Sequence, residues 1–288
     1  MRANVSVSQF TLVVVFLAQA SGQGVEPRQN ASADRLNQDG IEQYKSALYE
    51  NALSTFTSAL AIYQVSGDTK GEATALSEIA MCLDGLGQKH RALDYLEKAV
   101  PKWRHVPDAD NEASTLGKEG DIYRSWGFPD QALRYYKQAL PLFLIAGDRA
   151  GRAATLNNLG LAYLEMRNRK HALEHFRAAA ELYGSLDDVG GQTSALINMG
   201  AIYNQAHDSS RALEVLDRAL EMAKKSGEQD LEAGTLNAIG QAFANLRDHD
   251  RALDRHNSAL SGHQESGNEG PNQEVLRNIA GLSASKNR

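Results

Sequence analysis

One cysteine, Cys82, and six prolines are all that 288 residues contain of either type. A lone cysteine cannot close an intramolecular disulfide, so the fold must be held by side-chain packing. Aromatic residues make up 7% and the formal net charge is −6. A mildly acidic chain without a basic stripe argues against general nucleic-acid binding. Beyond residue 20 no apolar run approaches the ~20 residues a membrane-spanning helix needs, which argues against membrane insertion of the mature chain. Cofactor and nucleophile motifs are also missing. Gly190-Gly191-Gln192-Thr193 lacks the lysine of a phosphate-binding loop and follows no strand, and no G-x-S-x-G elbow occurs. No cofactor is implied.

The N-terminus reads as an export signal. Arg2 supplies a basic start, Phe10 to Ala18 is a compact apolar core, and Ala18-Gln19-Ala20 places small residues at a cleavage site. Residues 1–20 are therefore expected to be a signal peptide and 21–33 a flexible linker, with the mature chain periplasmic or secreted. Retention of the apolar run as an anchor, and a cytoplasmic regulatory array or fragment of a longer signalling protein, are the alternatives.

What the chain does contain is a period. Ala-Leu pairs fall at 52–53, 92–93, 132–133, 172–173, 212–213 and 252–253, a spacing of 40 without insertion or deletion. A sustained period of this size marks stacked repeats. Within one repeat, Leu76, Ile79, Ala80 and Leu83 lie on one helical face. Gly87 follows, then Ala92, Leu93, Leu96, Ala99, Val100 and Trp103 define a second amphipathic helix. Each helix is too short to be stable alone, so stacking must bury the stripes. Gly120, Gly160, Gly200 and Gly240 share one register, as do Ala59, Ala99, Ala139, Ala179, Ala219 and Ala259. Small residues at fixed places let paired helices approach closely. Cys82 aligns with Ile122, Ala162, Ile202 and Ala242, so it reads as buried filler. Glu119 breaks the apolar position before Gly120, and His256 replaces an aromatic or leucine of the second helix.

These positions resemble the tetratricopeptide pattern, seen in Leu156, Leu159-Gly160, Tyr163, Ala172, Phe176 and Ala179. The 40-residue period is similar to the arrays of kinesin light chain and of bacterial proteins that carry a caspase-like peptidase after their repeats. The resemblance implies an all-α, right-handed α-solenoid of stacked antiparallel helix pairs over residues 34–282, six pairs plus a terminal capping helix, and a polar tail at 283–288. No peptidase domain follows, so catalysis does not carry over, and a non-enzymatic scaffold is expected. It further implies that the first helix of each pair lines a concave groove for a protein or extended peptide. Carried onto this sequence, the groove residues are Lys118, Asp121, Arg124, Asn157, Asn158, Asn198, Asn204, Gln205, Asn237, Gln241 and Asn245, with Asn278 in the register of Asn158 and Asn198. Side-chain amides both donate and accept, so a ladder of them can hold an extended main chain. The two-carboxylate clamp of the family is absent in register.

One constellation competes. His171-Ala172-Leu173-Glu174-His175 spells H-x-x-E-H, a zinc-hydrolase pattern with two histidines on one helix face. Against it, Ala172-Leu173 is the repeat pair and His171 shares its register with Arg91, Arg211 and Arg251. Repeat position explains the residues without chemistry.

Overall fold

The computed structural model describes residues 26–268 and 270–286, and these hold thirteen helices and no strand. The expected signal peptide lies outside the described residues. The helices are α1 (Glu26–Lys45), α2 (Tyr49–Ser66), α3 (Thr69–Gly85), α4 (Lys89–His105), α5 (Ala109–Ser125), α6 (Pro129–Ala146), α7 (Arg149–Glu165), α8 (Arg169–Gly184), α9 (Val189–Gln205), α10 (Ser209–Ser226), α11 (Gln229–Asn245), α12 (His249–Glu265) and α13 (Asn272–Lys286). Odd-numbered helices from α1 to α11 are the A helices of successive pairs, and even-numbered ones their B partners.

The chain divides into two compact units, one ending at Ala146 and the other beginning at Gly147. In the first, pairs α1/α2, α3/α4 and α5/α6 stack through α2 on α3 and α4 on α5. In the second, α7/α8, α9/α10 and α11/α12 stack in the same way, and α13 packs on α12. Each unit is thus an all-α stack of antiparallel pairs. Two boundaries differ from expectation. Helix begins at Glu26, inside the stretch expected as linker, and α13 continues to Lys286, into the expected tail.

The small-residue register is where paired helices touch. A Cβ added at Gly40, Gly120, Gly160 or Gly200 would come within 2.5–2.6 Å of Phe56, Tyr136, Phe176 or Leu216 of the partner B helix. At Gly240 the intruding ring is His256, at 2.8 Å. Glycine inside a helix costs about 1 kcal/mol against alanine, and the burial of a large side chain in its hollow offsets that. Phe56, Tyr136, Phe176 and Leu216 are fully buried as a result. Cys82 is fully buried too, as its register requires, and burial pushes its thiol up to about 12.

The turns repeat as strictly as the helices. Ala47, Gly87, Gly127, Arg167, His207 and Arg247 all have positive φ in the turn inside a pair. Between pairs Gly67, Gly147, Asp187, Gly227 and Gly267 do the same. At the sixth such place stands Pro107, whose ring forbids positive φ, and the chain leaves α4 through an extended Val106 instead. Helix starts are capped: Asp68, Asp108, Asp148 and Asp188 accept main-chain N–H bonds at four A helices, and Asn168, Asp208 and Asp248 at three B helices. Each such cap contributes about 1 kcal/mol.

Candidate functional site

Amide side chains on the A helices of the second unit meet across neighbouring helices. Asn198 on α9 donates Nδ2 to Oδ1 of Asn157 on α7 at 3.5 Å. Two helices on, Asn278 of α13 donates to Oδ1 of Asn237 of α11 at 3.2 Å. All four are half-buried, so each rung is flanked by open surface. Asn158 lies beside Asn157, half-buried on α7. Gln241 donates to Asn245 on the same helix at 3.4 Å, and Gln205 is exposed at the end of α9.

Asn204 does not join that face. It is buried, with its Nδ2 donating to the main-chain oxygen of Ala238 on α11 at 2.8 Å. Asn245 returns the bond, donating to the main-chain oxygen of Asn204 at 2.8 Å. These two amides tie α9 to α11. Asn204 is therefore a helix clamp rather than a groove residue.

On the first unit the expected residues are charged and already engaged. Lys118 lies 3.6 Å from Glu78 of the neighbouring A helix. Asp121 accepts the Tyr136 hydroxyl at 2.6 Å. Arg124 is half-buried on the same helix.

The H-x-x-E-H residues are occupied with packing. His171 and His175 both stack on the ring of Tyr163, at centroid distances of 5.1 and 5.3 Å. His171 also shares a 2.9 Å hydrogen bond through Nδ1 with the capping Asn168. Arg211 repeats the arrangement over Tyr203, held by Asp208, and Arg251 does so over Phe243, held by Asp248. A cation or imidazole on an aromatic face, anchored by the helix cap, is thus a repeated brace between A and B helices. The spacing of the sequence contained this brace, since residues 163, 171 and their equivalents sit in fixed register. Among the described residues no group of three or more histidine, cysteine, aspartate or glutamate side chains is placed to hold a metal ion, and no helix is long and apolar enough to cross a membrane.

Stacked helix pairs, a glycine hollow in nearly every pair and a shared 40-residue register define a helical repeat protein. The tetratricopeptide repeat profile matches residues 43–104, 111–185 and 192–265, and the chain belongs to that family. No curated protein matches it by sequence. Among solved structures, BtubC (BKLC) from P. vanneervenii is similar at 19% identity and TM-score 0.64, over 85% of this chain and 93% of that one. The kinesin light chain-like repeats of Podosopora anserina share 14% identity and TM-score 0.58, over 69% and 97%. A Rap protein complexed with competence and sporulation factor shares 14% identity and TM-score 0.60, over 96% and 80%. At these identities the likeness is one of fold.

Proposed function

We propose that the protein is an exported, non-enzymatic scaffold that binds a protein or extended peptide on the A-helix face of its second unit. The observation that carries this is the pair of amide rungs, Asn157–Asn198 and Asn237–Asn278, repeated on one face. An amide bonded to a neighbour through one atom keeps further hydrogen-bonding capacity. A row of such groups matches the alternating N–H and C=O of an extended chain and makes no demand on its side chains. The main chain of a peptide is the ligand that this chemistry fits. Export is supported by the Arg2, Phe10–Ala18 and Ala18-Gln19-Ala20 pattern alone.

The test is the double substitution Asn158→Ala with Asn198→Ala, used as bait beside the unchanged protein. Each lost hydrogen bond should cost about 0.5–1.5 kcal/mol of binding. A partner held by the wild type should be weakened accordingly while helicity and melting stay nearly constant. Equal affinity for both proteins would place the interface elsewhere.

A further inference from the structure

His256 lies over the glycine hollow of α11, where α10 carries Leu216 and α8 carries Phe176 over their own. The ring is fully buried. An imidazole fills such a hollow less favourably than leucine, because its nitrogens lose water. Its contacts show what is obtained in return. Nδ1 lies 2.8 Å from Oδ1 of Asn237, the same oxygen that accepts Asn278 Nδ2 at 3.2 Å. On the other side of that amide, Asn237 Nδ2 faces Oε1 of Glu274 at 3.4 Å.

The Glu274 carboxylate, which can only accept, settles which way the Asn237 amide points. Turned over, the amide would set its oxygen against that carboxylate. With Oδ1 turned toward His256, the ring nitrogen facing it must carry a proton. The bond made by one imidazole nitrogen fixes the tautomer of the whole ring. Nε2 is then the bare nitrogen, and it is buried without a hydrogen-bond partner among the described residues.

We propose that His256 is a positioning residue for the amide face: a buried Nδ1–H donor that locks the Asn237 side chain and, through it, the Asn237–Asn278 rung. A rigid ring that both fills the hollow and donates from a fixed point holds the amide in one orientation. Asn237 Nδ2 is thereby kept on the Glu274 side and Oδ1 on the His256 side. The consequence for binding rests on the proposed function above, whereas the geometry is measurable in the protein alone.

Nitrogen-15 NMR of the full chain tests it without any ligand. The His256 ring should show the Nδ1–H tautomer. His256→Leu, the residue of α10 at this register, should shift the side-chain amide signals of Asn237 and Asn278 while helicity is retained. His256→Gln keeps a donor and should leave the Asn278 signal near its wild-type position. An Nε2–H tautomer in the wild type, or a leucine variant with both amide signals unmoved, would overturn the proposal. Should the leucine variant fail to fold, the wild-type tautomer and the glutamine variant decide. Failure of the Asn158/Asn198 binding test would sink the binding role and leave this result standing.

Discussion

Glu119 stands in the row that otherwise holds Ile79, Leu159, Met199 and Ile239, and like them it is buried. Its Oε2 has no hydrogen-bond partner among the described residues. Burial, with Glu97 adding to it and Arg104 opposing, raises its carboxyl from the ordinary 4.5 to about 8. The folded state therefore holds a proton that the unfolded chain releases, and stability falls as pH rises between those values. The slope should reach at most about 1.4 kcal/mol per pH unit. Glu119→Gln should flatten it, which urea unfolding at pH 5 and pH 8.5 would show. A glutamine variant with the same pH dependence as the wild type across that window would contradict the assignment. A second residue-scale contrast separates packing from surface. Gly160→Leu drives an isobutyl group into Phe176 and should cost about 1–3 kcal/mol or more. His171→Ala gives up a stacking contact on Tyr163 and a hydrogen bond to Asn168, both at an exposed position, and surface changes usually stay within about 0.5 kcal/mol. Thermal melts of the two variants rank them.

The helix pairs show what pattern alone can and cannot convey. The spacing of Leu76, Ile79, Ala80 and Leu83 was enough to read an A helix, and the recurring Gly160, Gly200 and Gly240 were enough to read a close pair. Apolar periodicity and small residues act directly on packing, so they are visible in one dimension. The start of α1 at Glu26 was not, because the sequence of 26–33, Glu-Pro-Arg-Gln-Asn-Ala-Ser-Ala, carries no large apolar residue and so no stripe. The fate of Asn204 was hidden for another reason. An asparagine is equally suited to a groove and to a helix-end clamp, and only the neighbouring carbonyl of Ala238 decides. Glycine announces the left-handed backbone of a turn, whereas Arg167, His207 and Arg247 adopt it without any such mark in the sequence. Such residues carry a strain of about 1–2 kcal/mol that glycine lacks. Arg247→Gly should accordingly raise the melting temperature, despite the added freedom of the unfolded chain. An unchanged or lower melt would mean that the Arg247 side chain holds the turn in place.

Across the molecule, charge separates the A-helix faces of the two units. The first unit presents Glu78, Lys118, Asp121 and Arg124, whereas the second presents Asn157, Asn158, Asn198, Asn237, Gln241 and Asn278. Opposite charges attract a partner over distance, but dissolved salt screens that attraction beyond about 10 Å at 0.1 M. Hydrogen bonds between neutral amides and a main chain have no such long-range component. A partner held by the second unit's amides should therefore keep nearly the same affinity between 0.05 and 0.5 M salt, and its association rate should vary little. Titration of the captured partner across that range, with Lys118→Ala as a parallel variant, would measure this. A steep loss of affinity with salt, together with weakening by Lys118→Ala, would move the interface to the charged face and leave the asparagine rungs as braces between helices. An affinity indifferent to salt and to Lys118, but lowered by Asn158→Ala with Asn198→Ala, would fit a surface that recognises the shared main chain of extended peptides rather than the charge of any one side chain.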